Sequence, residues 1–229
     1  IVGQPRMLDF EYMRWIAAVL DSHIQTHLNP DKLRLTHLGG GACSLARYCA
    51  DVYPNSRNTV VELDAKLAEY VRDWFDIPKS PRVKIRVGDA GTITRSFAPA
   101  SRDVVIRDVF AVDKTPAELT GVDFVRTVDN SLAPGGLYIL NCGDDRTLNA
   151  ARAEAAALLE VFEYVSIVAD SAMLKGRRRG NIILAGSHVP LPQLGSAEAA
   201  SISRVLMGGG VPAQYWDTEK VRVFARKGA

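Results

Sequence analysis

Cysteine is scarce in this chain, with three residues, Cys43, Cys49 and Cys142, among 229. None has a His or Cys neighbour at zinc-site spacing, so neither a disulfide framework nor a zinc cluster is expected, and the thiols read as buried groups in a reducing, cytoplasmic compartment. Charge of either sign is not in excess: 28 Lys plus Arg stand against 26 Asp plus Glu. A surface that neutralises a run of phosphates needs more than that, so nucleic acid is excluded as a principal partner. Long apolar runs are missing too; the hydrophobic stretches are short and broken by charges, so no membrane partner is expected. The opening "IVGQPRMLDFEYMRW" lacks the basic region and greasy segment of an export signal. No phosphate-binding loop with its lysine and no Ser-His-Asp order occurs, which removes nucleotide-phosphate and acyl hydrolases.

With 47% hydrophobic residues, the chain can bury one sizeable core. Its patterning alternates. Met7, Phe10, Tyr12, Trp15, Ile16, Val19, Leu20 and Ile24 form one face of an amphipathic helix that "NPD" at Asn29 to Asp31 stops. Strand-like runs then take turns with helical stretches: Leu33 to Leu38, Asn58 to Leu63, Arg82 to Gly88, Asp103 to Val109 and Gly135 to Asn141. That order predicts a mostly parallel sheet covered by helices on both faces. "YVSIVAD" and "GNIILAGS" lie too close for a crossover helix and predict an antiparallel hairpin at one edge, with Arg177, Arg178 and Arg179 as its solvated tip. Beyond a proline-containing connector, the pattern gives a short helix around Ala197 to Met207 and a last strand in "VRVFARKG". The expected organisation is a helical lead-in over 1–30, a cofactor-binding domain over 31–187, and a C-terminal extension over 188–229 packed on the same domain.

A strand that ends in Gly39, Gly40 and Gly41 and runs directly into a helix delivers unblocked backbone amides to the carboxyl edge of a parallel sheet. Three acids close the next three strands. Glu62 in "VVELD" is placed to accept both hydroxyls of a ribose, its alternative being an acid at a helix N-terminus, a role that suits Asp64 better. Asp89 in "VGDAGTI" is placed to take the exocyclic amine of an adenine, or merely caps its turn. Asp108 in "DVVIRDVFA" is the acid expected to orient or deprotonate a nucleophile; Asp103, at the other end of that strand, reads as structural. His23 and His27, four apart in a polar stretch, read as a solvated helix face and not a metal pair. His37 reads as a core histidine, and Tyr12 and Trp15 as helix core more than a roof over the crevice. Asn141, Asp144 and Asp145 either line an acceptor pocket or cap the following helix.

The ordered set "HLGGGACSLAR", "VVELD", "VGDA", "DVVIRDVF" and "LAPGGLYILN" resembles S-adenosylmethionine-dependent methyltransferases of the Rossmann-like class I fold, with a seven-stranded sheet. With the triple glycine and the lead-in "PRMLDFEYMRWI", it is similar more narrowly to the spermidine synthase family of polyamine aminopropyltransferases. The resemblance implies a transferase of polyamine biosynthesis using S-adenosylmethionine or its decarboxylated form and passing an aminopropyl group to a small amine or other nucleophile. A methyltransferase of unknown acceptor and a non-catalytic homologue are the alternatives. It further implies that Gly39, Gly40 and Gly41 face the cofactor's amino-acid or aminopropyl end. Glu62 would face the ribose, Asp89 and Ala90 the adenine, Leu63 would be a further cofactor contact, and Asp108 would be the catalytic aspartate. No metal is expected, because the leaving thioether is neutral; a homodimer is the oligomer expected if one forms. Two positions depart from the family pattern. Ala42 follows the glycines where an acid is usual, and Ala111 stands three residues beyond Asp108, where a second acid usually grips the diamine, with Asp113 close by.

Overall fold

The computed structural model describes residues 3–112 and 114–226, so Asp113 lies outside the described residues. Eight strands form one sheet: β1 (Arg34–Leu38), β2 (Arg57–Glu62), β3 (Val83–Val87), β4 (Arg102–Arg107), β5 (Leu132–Asp144), β6 (Tyr164–Asp170), β7 (Gly180–Ser187) and β8 (Ala213–Trp216). Their order is β3-β2-β1-β4-β5-β7-β6-β8. The first five are mutually parallel, and β7, β6 and β8 join antiparallel. Among the described residues nine α-helices connect or flank them: α1 (Glu11–His27), α2 (Ser44–Val52), α3 (Ala65–Trp74), α4 (Ala90–Arg95), α5 (Gly121–Ser131), α6 (Asn149–Val161), α7 (Ser171–Leu174), α8 (Ala197–Met207) and α9 (Thr218–Arg226). This is a Rossmann-like α/β fold.

The central parallel strands form because they are buried on both faces. Val104, Val105 and Ile106 of β4 and Leu137 to Leu140 of β5 are all within 1% of complete burial, which a continuous apolar run permits and an alternating one does not. Helix α1 lays Trp15, Ile16, Leu20 and Ile24 on the core and touches β5, β7 and α8, whereas α5, α6 and α9 pack on one another across the other face.

Two elements differ from the sequence reading. The sheet has eight strands where seven were expected, because "AQYW" adds β8 outside β6, which would otherwise be the edge strand. A four-residue strand carries too little periodicity to be seen beforehand. The segment "VRVFAR" is helical, not a strand. Val and Phe alternate there in a way that suits a strand, but Asp217 Oδ1 accepts from Lys220 N at 3.2 Å at the start of the helix. Val221 and Phe224, three apart, are then the buried face, with Phe224 edge-on to Trp216.

His23 is not solvated, as the polar surroundings had suggested: it is 2% exposed and its Nε2 donates to Gly135 O at 2.8 Å, tying α1 to the turn before β5. His27 Nε2 donates to Pro190 O. His37 is a core histidine whose Nε2 donates to Asn58 Oδ1, an orientation fixed because Asn58 Nδ2 is spent on Ser56 and Arg82. Burial lowers both His23 and His37 to about 4. The unfolded chain, with ordinary imidazoles near 6.5, therefore binds protons that the folded chain refuses. Stability is intact above that value and falls as pH drops from about 6.5 towards 4, by roughly 3 kcal/mol apiece. Urea midpoints measured between pH 7 and pH 4.5 are expected to fall, and His23→Gln to flatten the curve; a slope unchanged by the substitution contradicts the assignment.

Candidate active site

The triple glycine is first a matter of close approach. Gly39 has φ +88, and a Cβ on it would stand 2.1 Å from the backbone oxygen of Asp108, while one on Gly40 would meet Val60 Cγ1 at 2.9 Å. β1 and β4 are thus brought together at their carboxyl ends only because that side chain is missing. Gly39→Ala combines a left-handed backbone with this clash. It is expected to cost roughly 2 kcal/mol or more in urea unfolding; a loss under half of that shows that the turn can move away.

The amides of this turn are not bare, as the sequence had suggested. Gly39 N donates to Val61 O, and Gly40 N and Gly41 N both donate to Glu62 Oε2 at 3.0 Å. The other oxygen of Glu62 accepts from Asp64 N at 2.9 Å. The reason is accounting: backbone donors at the rim find an acceptor, and a carboxylate at the end of the adjacent strand is within reach. Asp64 is the N-cap of α3, accepting from Lys66 N and Leu67 N.

Because β1 to β4 are parallel neighbours, the groups that follow them share one edge. Glu62 pairs in register with Val87, and Leu63 and Val87 are exposed by 73% and 53%, two apolar surfaces left open at the ends of β2 and β3. Asp89 caps α4 by accepting from Thr92 N at 2.7 Å, a bond that holds its carboxyl below the usual carboxylate range. Ala90 begins that helix and is buried.

Asp108 follows β4. Its Oδ2 accepts from Tyr12 Oη at 3.0 Å and its Oδ1 from Asn141 Nδ2 at 2.9 Å. Burial pushes its carboxyl above the usual range, against the two hydrogen bonds, which favour the ionised form. Burial and then the neighbouring carboxylate push the Tyr12 hydroxyl upward, so Tyr12 remains a donor. A cavity of about 190 Å³ runs between Phe10, Tyr12, the glycine turn, Cys43 and Asp108. Tyr12 is therefore a site residue, while Trp15 is core. Asn141 holds Asp108 through its side-chain amide, whereas Asp144 and Asp145 serve the turn into α6, accepting from Ala151 N and Thr147 N. Asp103 is structural, holding Arg34 through both carboxylate oxygens. Arg178, read as part of a solvated tip, is ion-paired to Asp170 at 2.6 Å.

No family model matches the chain. Among solved structures, a probable spermidine synthase from Corynebacterium glutamicum ATCC 13032 superposes with a TM-score of 0.96 at 59% identity, over 98% of this chain and 81% of that one. The chain belongs to the spermidine synthase-like family. Human Methyltransferase-like protein 13, solved in complex with SAH, matches this spermidine synthase-like chain with a TM-score of 0.68 at 26% identity, over 86% and 90% of the two chains. The eEF1A lysine and N-terminal methyltransferase of Mus musculus is 33% identical over 128 residues, 51% of this chain; the match spans 18% of that curated relative's length. The spermidine synthase-like chain is thus a transferase homologue on the class I methyltransferase fold. Among the described residues no helix is long and apolar enough to cross a membrane.

Proposed function

We propose that the chain binds an S-adenosylmethionine-type donor along the carboxyl edge of β1 to β4 and transfers its aminopropyl group to a small amine aligned by Asp108. The observation that carries this reading is the Asp108 carboxylate, largely buried, fixed by Tyr12 and Asn141 and opening on the cavity beside the glycine turn. The surrounding groups fit such a donor. Glu62 supplies a carboxylate for ribose hydroxyls once it leaves the glycine amides, and Leu63 and Val87 offer apolar faces to a base beside Asp89. The 190 Å³ cavity is too small for a nucleoside and suits an alkyl arm.

When bound, the donor supplies an electrophilic carbon next to a sulfonium that departs as a neutral thioether. Asp108 does the rest by position: its free lone pairs hold the incoming amine on line and accept the proton that the new C–N bond releases. Tyr12 and Asn141 keep the carboxylate from turning away. Methyl transfer is the second reading, favoured by the 33% match to a methyltransferase and by Ala42 and Ala111, which stand at two positions where an acid that helps to grip a dication is usual.

The test is to incubate the purified chain with decarboxylated or intact S-adenosylmethionine and a panel of mono- and diamines, following the nucleoside product. Methylthioadenosine supports the proposal. S-adenosylhomocysteine supports the second reading, and thermal stabilisation by both donors with no turnover supports a non-catalytic homologue.

A further inference from the structure

A cavity larger than the one beside Asp108 lies elsewhere among the described residues. It measures about 790 Å³, within the usual range for small-molecule sites, and lies where the segment after β4, the ends of β5 and β7, and the first turns of α6 meet. Strand alternation separates the two. Asp108 and Asn141 point to the face that carries the start of α1, whereas Arg107 and Cys142, one position along each strand, point to the opposite face, where Arg107 Nη2 meets Glu154 Oε1 of α6 at 2.5 Å. Glu154 and Cys142 line this second cavity; Phe110, Ala117, Ala150 and Ala153 give it carbon walls, and Lys114, Asp144, Asp145 and Arg179 add charges of both signs to its lining.

Glu154 is 4% exposed, and its second oxygen, Oε2, has no hydrogen-bond partner among the described residues. A buried acceptor without a donor is costly, and Glu154 belongs to the lining of this cavity. Arg107 already balances Glu154, Asp145 stands near Arg179 and Lys114, and Asp144 is bonded to the amides of Asp145 and Ala151, so a ligand cation would gain little by charge. A neutral N–H or O–H would satisfy the oxygen. The terminal torsion of a glutamate is soft enough to present either oxygen to such a donor.

We propose that this cavity is a second ligand site, separate from the Asp108 site, for a small apolar molecule carrying one uncharged N–H or O–H group that hydrogen-bonds Glu154. The site does not depend on the reaction assigned to Asp108.

Calorimetric titration of the full chain with phenol, indole, anisole and benzylamine tests it. Phenol and indole are expected to bind one to one, and anisole, of similar shape but without a donor, at least about tenfold more weakly; benzylamine should follow anisole. Because Glu154→Gln disturbs a buried pair, the decisive variant is Ala153→Trp, which fills the cavity from an exposed helix position. It should abolish phenol binding with the urea midpoint unchanged, while Asp108→Asn leaves phenol binding intact. Equal affinity for phenol and anisole, no phenol binding at millimolar concentration, or binding that survives Ala153→Trp would each overturn the proposal.

Discussion

Asp108→Asn is expected to lower turnover by about 10²–10⁴-fold, the usual worth of a positioned general base, while the nucleoside donor still binds and the protein still folds. The last two clauses follow from the same physics as the first. Burial opposes the ionisation of Asp108, so removing the charge relieves a cost instead of creating one. Asn can also accept from Asn141 and donate to Tyr12 in place of the present bonds. The loss should therefore appear in kcat with an unchanged melting temperature. In the native enzyme, protonation disables the carboxylate, so kcat/KM should fall with decreasing pH through an apparent pKa above the ordinary carboxylate range. An acid limb at or below that range, or a variant that keeps a tenth of the activity, would show that Asp108 does not hold the reacting amine.

Arg107→Met is expected to destabilise the fold by about 3–5 kcal/mol, the cost of leaving a desolvated charge without its partner. Arg107 is fully buried in β4; besides its ion pair with Glu154, its Nη1 donates to the backbone oxygen of Leu119. Removing the guanidinium strands the Glu154 carboxylate under the sheet. The double substitution Arg107→Met, Glu154→Leu removes both charges and should regain most of the loss, since an apolar pair of similar volume replaces an ion pair at little cost. Urea unfolding of the two singles and the double closes the cycle. If Arg107→Met alone costs less than about 1 kcal/mol, water reaches the pair and it is not desolvated.

The five parallel strands and the acids that follow them were legible because buried parallel strands are written as short apolar runs, and the first four runs here stop at a glycine or a carboxylate. What the carboxylates touch was not legible. Glu62 binding the amides of Gly40 and Gly41 joins residues 22 and 21 positions apart, and nothing in either stretch announces the pairing. Tyr12 lies on the apolar stripe of α1, so periodicity assigned it to the core; only the docking of the start of α1 above the end of β4 turns its hydroxyl towards Asp108. His23 misled in the opposite sense, since its polar neighbours Asp21 and Ser22 suggested solvent while its own position faces Gly135. The last helix was hidden by its own β-branched residues, whose alternation is a strand signal that tertiary packing overrode.

The account rests on nucleoside recognition at the edge formed by Gly39 to Gly41, Glu62 and Asp89. A crystal structure of the chain with methylthioadenosine tests it most directly. The prediction is a ribose with its hydroxyls about 3 Å from Glu62, at least one carboxylate oxygen drawn off the glycine amides, the base between Leu63 and Val87 near Asp89, and the sulfur turned towards Asp108. A nucleoside bound elsewhere, with Glu62 still on the amides of Gly40 and Gly41, would contradict it.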